Sequence, residues 1–183
     1  ADRLSVPYAE ELNPPLWELG HVAWFQEFWI GRNQQREFGI HYDANHVRLP
    51  SLLVQADSWY NSCTVAHEAR WHLPLLGPMA CKDYLATTLN QTLALLTQAS
   101  SSDDALYFYR LVMFHEAMHL EAAIYMAQAV GVEFAPNLIA AQAINTPATA
   151  IFKFIFDAFS LIKAATAPQP PKTSKTPTLL ISK

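Results

Sequence analysis

The run His115-Glu116-Ala117-Met118-His119-Leu120-Glu121 sets two imidazoles four residues apart inside an apolar stretch, with a carboxylate close to each. On a helix, positions four apart lie about 40° apart on one face, so two ring nitrogens can reach one metal ion. The same letters fit two chemistries. Read as His-Glu-x-x-His they are the zinc-peptidase signature, with Glu116 as general base. Read as His-x3-His-x-Glu they are two ligands that need a third from elsewhere, and the source of that third ligand decides the function.

One candidate stands in the segment from Leu16 to Trp29, where His21 is surrounded by aromatic residues. Trp17, Trp24, Phe25 and Phe28 fall within about 60° of it on a helical wheel, so the imidazole is expected to point into the core. A lone histidine on such a face is ordinarily a hydrogen-bonded core residue. A histidine pair on another long helix changes that, because facing helices of a bundle converge on a central site. His21, His115 and His119 would give three neutral nitrogens with room for water or substrate, the open arrangement of a catalytic site. The peptidase reading needs its third ligand further along. The His-x-x-Gly-x-x-His extension is absent, and Glu133, the sole glutamate after Glu121, lies just past Gly131.

Glu116 and Glu121 sit about 100° and about 120° round the helix from His115, on opposite sides, too far to share its metal. They are expected either as partners of imidazole N–H groups or as solvent-facing carboxylates. Arg70 suits a substrate carboxylate or a structural ion pair. His41, His46, His67 and His72 are expected as surface or packing residues. Three imidazoles accept iron, zinc, nickel and copper alike, so the motif alone does not choose the metal.

These residues need helices to hold them. With 183 residues, 51% hydrophobic and 15% charged, the chain suits one domain. Its five glycines and helical spacing of apolar residues predict an all-α class. The first helix should start at Asn13-Pro14-Pro15, with Asn13 as cap, and reach about Arg32. Residues 33–77 read as a long irregular connection with short helical turns. Further helices are predicted over 79–98, over 104–130 up to Gly131, and over 147–165. The domain thus covers 1–165, and the Pro-, Lys- and Thr-rich residues 166–183 read as a disordered tail.

A formal charge of −4 with no basic block outside the extreme C-terminus argues against a nucleic-acid partner. Cys63 and Cys81 form no disulfide framework, which fits a reducing cytoplasm. The apolar stretch from Ala148 to Ala167 is broken by Lys153, Asp157 and Lys163, so a core or amphipathic helix is expected and a membrane span is not. No signal peptide opens the chain, and because it begins at Ala1, residues are expected upstream.

Three separated motifs carry a resemblance. Asn13-Pro14-Pro15-Leu16-Trp17-Glu18-Leu19-Gly20-His21-Val22-Ala23-Trp24-Phe25, then Tyr60-Asn61-Ser62 with Val65-Ala66-His67, then His115 to Glu121 resemble the DinB-like N-terminal domain of ergothioneine sulfoxide synthases and selenoneine synthases. The likeness covers about residues 4–134. It implies a DinB-like four-helix bundle in which His21, His115 and His119 bind non-haem iron(II), with zinc or nickel able to take its place in purified protein. It further implies an oxidoreductase that joins a sulfur or selenium donor to trimethylhistidine using molecular oxygen. Arg70, Tyr60 and Asn61 would face the substrate. The family carries a second domain, similar to the formylglycine-generating enzyme, that supplies a catalytic tyrosine; nothing after residue 135 matches it, so that domain is expected to be lacking. The family's bundle also has a helix before the first motif, a place that residues 147–165 are expected to fill. A homodimer is compatible with this reading. The rival readings are a non-catalytic metal-stabilised bundle or thiol-binding module, and the zinc peptidase.

Overall fold

Helix α1, Pro15–Gln26, begins where Pro15 occupies the first helical position, which needs no N–H partner and suits the fixed φ of proline. The expected cap is corrected: Pro14 holds the N-cap position without a side-chain hydrogen bond, and the Asn13 amide is used elsewhere. The helix continues as a wider π turn over Glu27–Gly31. At Gly31 a Cβ would lie 2.2 Å from the end of the Gln91 side chain, which would have to swing aside to admit it. Because α1 is apolar nearly all round, it is buried nearly all round. The structure, a computed structural model, describes residues 5–131.

Residues after α1 form the irregular connection that the sequence predicts. It holds two 3-10 turns, Arg36–His41 and Glu68–Trp71, and a short helix α2, Ala56–Tyr60. Side chains of α1 and of the π turn that extends it tether the connection. The buried Glu27 carboxylate accepts from Ser51 Oγ at 2.7 Å, from the Leu52 N–H at 2.6 Å and from Tyr84 Oη at 2.5 Å, so a charge that would be costly inside the core is fully bonded. Arg32 forks onto both oxygens of Asp57 at 2.7 and 2.8 Å, and Trp24 Nε1–H joins them at 2.7 Å.

Helix α3, Pro78–Leu96, again starts on a proline. Helix α4, Asp103–Ala129, is capped by Ser102, whose Oγ accepts from the Ala105 N–H at 3.2 Å, and has Asp103 and Asp104 in its first turn, where the helix dipole favours them. It stops before Gly131, whose φ of +81° is the left-handed conformation that glycine adopts freely. Both long helices pack against α1. The main core joins Trp17, Leu19, Val22, Tyr60, Leu85, Ala123 and Ala127; full burial of each large apolar side chain contributes about 1.5–3 kcal/mol. A smaller cluster around Ile30, Phe108, Tyr109 and Val112 closes the far end.

The described residues are all helical and irregular, with no strand. The helix expected over 147–165 and the tail 166–183 lie outside them. No described helix is long and apolar enough to cross a membrane.

Candidate metal centre

His21 on α1 and His115 and His119 on α4 meet where the two helices pack. Each offers one ring nitrogen, and the three lie within 4.8 Å of one another. The atoms concerned are the Nε2 atoms: that of His115 is 3.2 Å from His21 Nε2 and 3.1 Å from His119 Nε2.

Each ring is held from behind. His21 stacks on Trp17 at 4.8 Å with planes 8° apart, and its Nδ1–H donates to the Tyr60 carbonyl at 2.7 Å. His119 Nδ1–H donates to Glu18 Oε2 at 2.5 Å. His115 lies flat on Phe25, centroids 3.5 Å apart and planes 4° apart, while its Nδ1 is buried without a partner. A neutral imidazole carries one N–H and one lone pair. With the proton assigned to Nδ1 by these acceptors, His21 and His119 both aim lone-pair Nε2 atoms at the same point.

The Nε2 lone pairs of His21 and His119 cannot bond one another, and the single N–H of a neutral His115 turned onto Nε2 can point at only one of them at a time. Burial pulls the His21 imidazole down to about 4, and the neighbouring His119 pulls the same way. Burial, then His119 and His21, brings His115 down to about 2. A cation at the common point satisfies all three nitrogens at once, so this donor set fits a metal bound through imidazoles, with positions left open.

Glu18 is the residue that sequence reasoning missed. It lies about 60° from His21 on α1, within the same arc as the aromatic residues, and an acid there needed a partner from another helix. It is 2% exposed. Burial pushes its carboxyl up, but the His119 hydrogen bond, with His119, His21 and the Asn13 amide, outweighs this and holds it below the usual carboxylate range. Of the two places expected for Glu116 and Glu121, beside an imidazole N–H or facing solvent, neither glutamate takes the first. Neither hydrogen-bonds an imidazole among the described residues; Glu116 is buried, and desolvation pushes it up to about 8, while Glu121 is exposed.

The expected substrate residues also separate. The Tyr60 side chain is fully buried over Gly20, so it faces no open site, and it is the residue's carbonyl that serves His21. Asn61 Oδ1 accepts from the Cys63 N–H at 3.0 Å in a local turn. Arg70 directs Nη1 to Asn13 Oδ1 at 2.8 Å and stands 3.9 Å over the Trp17 ring. His41, His46, His67 and His72 stand outside the three-imidazole cluster.

No family model matches the chain. It is similar to hercynine oxygenases: 29% identical over 132 residues to that of Mycolicibacterium smegmatis, covering 72% of this chain and 28% of the relative. Against the hercynine oxygenase of Mycobacterium tuberculosis it is 27% identical over 139 residues, covering 75% of this chain and 29% of the relative. The chain thus spans less than a third of the length of these curated relatives.

Proposed function

We propose that this chain provides the iron(II) centre of an oxygen-dependent oxidoreductase that joins a sulfur or selenium donor to trimethylhistidine, as a DinB-like metal-binding bundle. The observation that carries this is the convergence of His21, His115 and His119 with two of their outer nitrogens fixed by Tyr60 and Glu18. The names of the similar proteins support trimethylhistidine as the substrate class, since hercynine is trimethylhistidine.

An iron(II) ion held there supplies a redox-active Lewis acid with coordination positions beyond the three imidazoles. The chain's own part is orientation. Tyr60 and Glu18 keep the proton of His21 and of His119 on Nδ1 and so fix which nitrogen each turns to the common point. Trp17 and Phe25 fix two ring planes and keep water from the backs of the ligands. The peptidase reading lacks support here, because the third imidazole comes from α1 and Glu116 sits buried and unpaired with the cluster.

The test is anaerobic metal analysis of the native chain and of His21→Ala. One equivalent of iron or zinc in the former and background in the latter is expected; undiminished metal in the variant sinks the assignment. Oxygen uptake by the iron-loaded chain with trimethylhistidine and a thiol then separates catalysis from the rival metal-stabilised or thiol-binding module, which consumes none.

A further inference from the structure

We infer that Arg70 is a positioning residue of the metal centre, setting two of the three imidazoles from outside the coordination sphere. This rests on the reading of His21, His115 and His119 as metal ligands. Arg70 Nη1 donates to Asn13 Oδ1 at 2.8 Å. That bond decides which end of the Asn13 amide faces which neighbour, leaving Nδ2 to donate to Glu18 Oε1 at 2.6 Å. The other oxygen of Glu18 accepts from His119 Nδ1–H at 2.5 Å. A flipped Asn13 amide would set an oxygen against the buried Glu18 carboxylate and remove its donor.

The second arm is aromatic. The Arg70 guanidinium lies 3.9 Å over Trp17, and Trp17 is stacked on His21. Cation, indole and imidazole form one stack, so the cation holds the indole against which the ligand ring rests. The hydrogen-bonding route runs Arg70, Asn13, Glu18, His119; the stacked route runs Arg70, Trp17, His21. One loop residue therefore reaches a ligand on each of the two helices. The sequence suggested a clamp on a substrate carboxylate for this arginine; the geometry spends its fork on the protein.

Cobalt(II) loaded anaerobically into the full chain tests this without any substrate. Affinity by chelator competition and the visible absorption bands are compared for the native chain, Arg70→Met, Arg70→Lys, Asn13→Leu and the Arg70→Met/Asn13→Leu pair. Arg70→Met should shift the bands and weaken binding roughly 10-fold, the low end of the loss for outer partners of metal ligands. Arg70→Lys, which keeps the charge but not the planar fork, should fall between, and serves alone should the methionine variant not fold. Because both act through Glu18, the double variant should lose less than the product of the single losses. Native bands and affinity in the Arg70 variants, or losses that multiply in full, overturn the inference. A native chain that takes up no stoichiometric cobalt instead sinks the metal-centre reading, and the inference with it.

Discussion

The two helices that supply the three clustered imidazoles are built in opposite ways. Eleven of the twelve residues of α1 are buried, whereas eight of the 27 in α4 are. Alongside His115 and His119, the α4 residues Phe114 and Met118 are 75% and 54% exposed. His21, by contrast, sits 4% exposed between Trp17 and Trp24. The difference divides labour. α1 is a fixed wall that carries one imidazole of the cluster and the carboxylate that orients another, while α4 brings two imidazoles to that wall and keeps an open face beside them.

Substitutions on the wall should cost far more than substitutions on the open face. Gly20→Ala is the severest, since its Cβ would meet the Tyr60 ring at 2.2 Å, and Tyr60 is fully buried. Overpacking of this kind costs about 2–3 kcal/mol even after the helix propensity of alanine is counted. Denaturant unfolding checks it, and an unchanged midpoint would break the contrast between the helices.

A smaller effect is expected where α1's extension holds the connection. The Asp57 carboxyl is held below its ordinary 3.8, first by the Arg32 hydrogen bonds, with burial working against them. A depressed pKa in the folded state means the stabilisation is present above the ordinary value and is lost as pH falls through the folded one. Asp57→Asn should cost about 1 kcal/mol at neutral pH, discounted because Asp57 is 54% exposed. The gap between the two proteins should close well below pH 3.8; a constant gap across that range would remove the pair from the account.

The smallest effect belongs to α4. Phe114→Gln should shift stability by no more than about 0.5 kcal/mol, as for a surface site. A loss several times larger in the full chain would show that this face is covered, and that the two helices are less different than their burial indicates.

What was legible in the sequence follows the same division. The starts of α1, α3 and α4 could be read because prolines, glycine and Ser102 announce them, and the ends fell within a few residues of those observed. His21, His115 and His119 could be matched because helical phase puts each on an inward face. The partners behind them could not. Glu18 pairs across about a hundred residues of chain, and helical phase places a side chain on a face without saying what meets it. Tyr60 was singled out for its side chain, yet it contributes a backbone oxygen, which no residue type encodes. Asn13 was read as a cap from local rules, but Pro14 took that position and the amide was recruited into the Arg70–Glu18 network.

The carbonyl that holds His21 has a consequence for how the site tolerates genetic change. One outer partner of the clustered imidazoles is written in a side chain, so a single codon change at Glu18 deletes it. The other is main chain, and no substitution at position 60 can remove it directly; only a change that moves the backbone, such as one at Gly20 beneath the Tyr60 ring, can do so. Drift at the two partners should therefore leave different scars. Loss at Glu18 detunes an otherwise intact bundle, whereas loss of the Tyr60 contact arrives only with damage to the core.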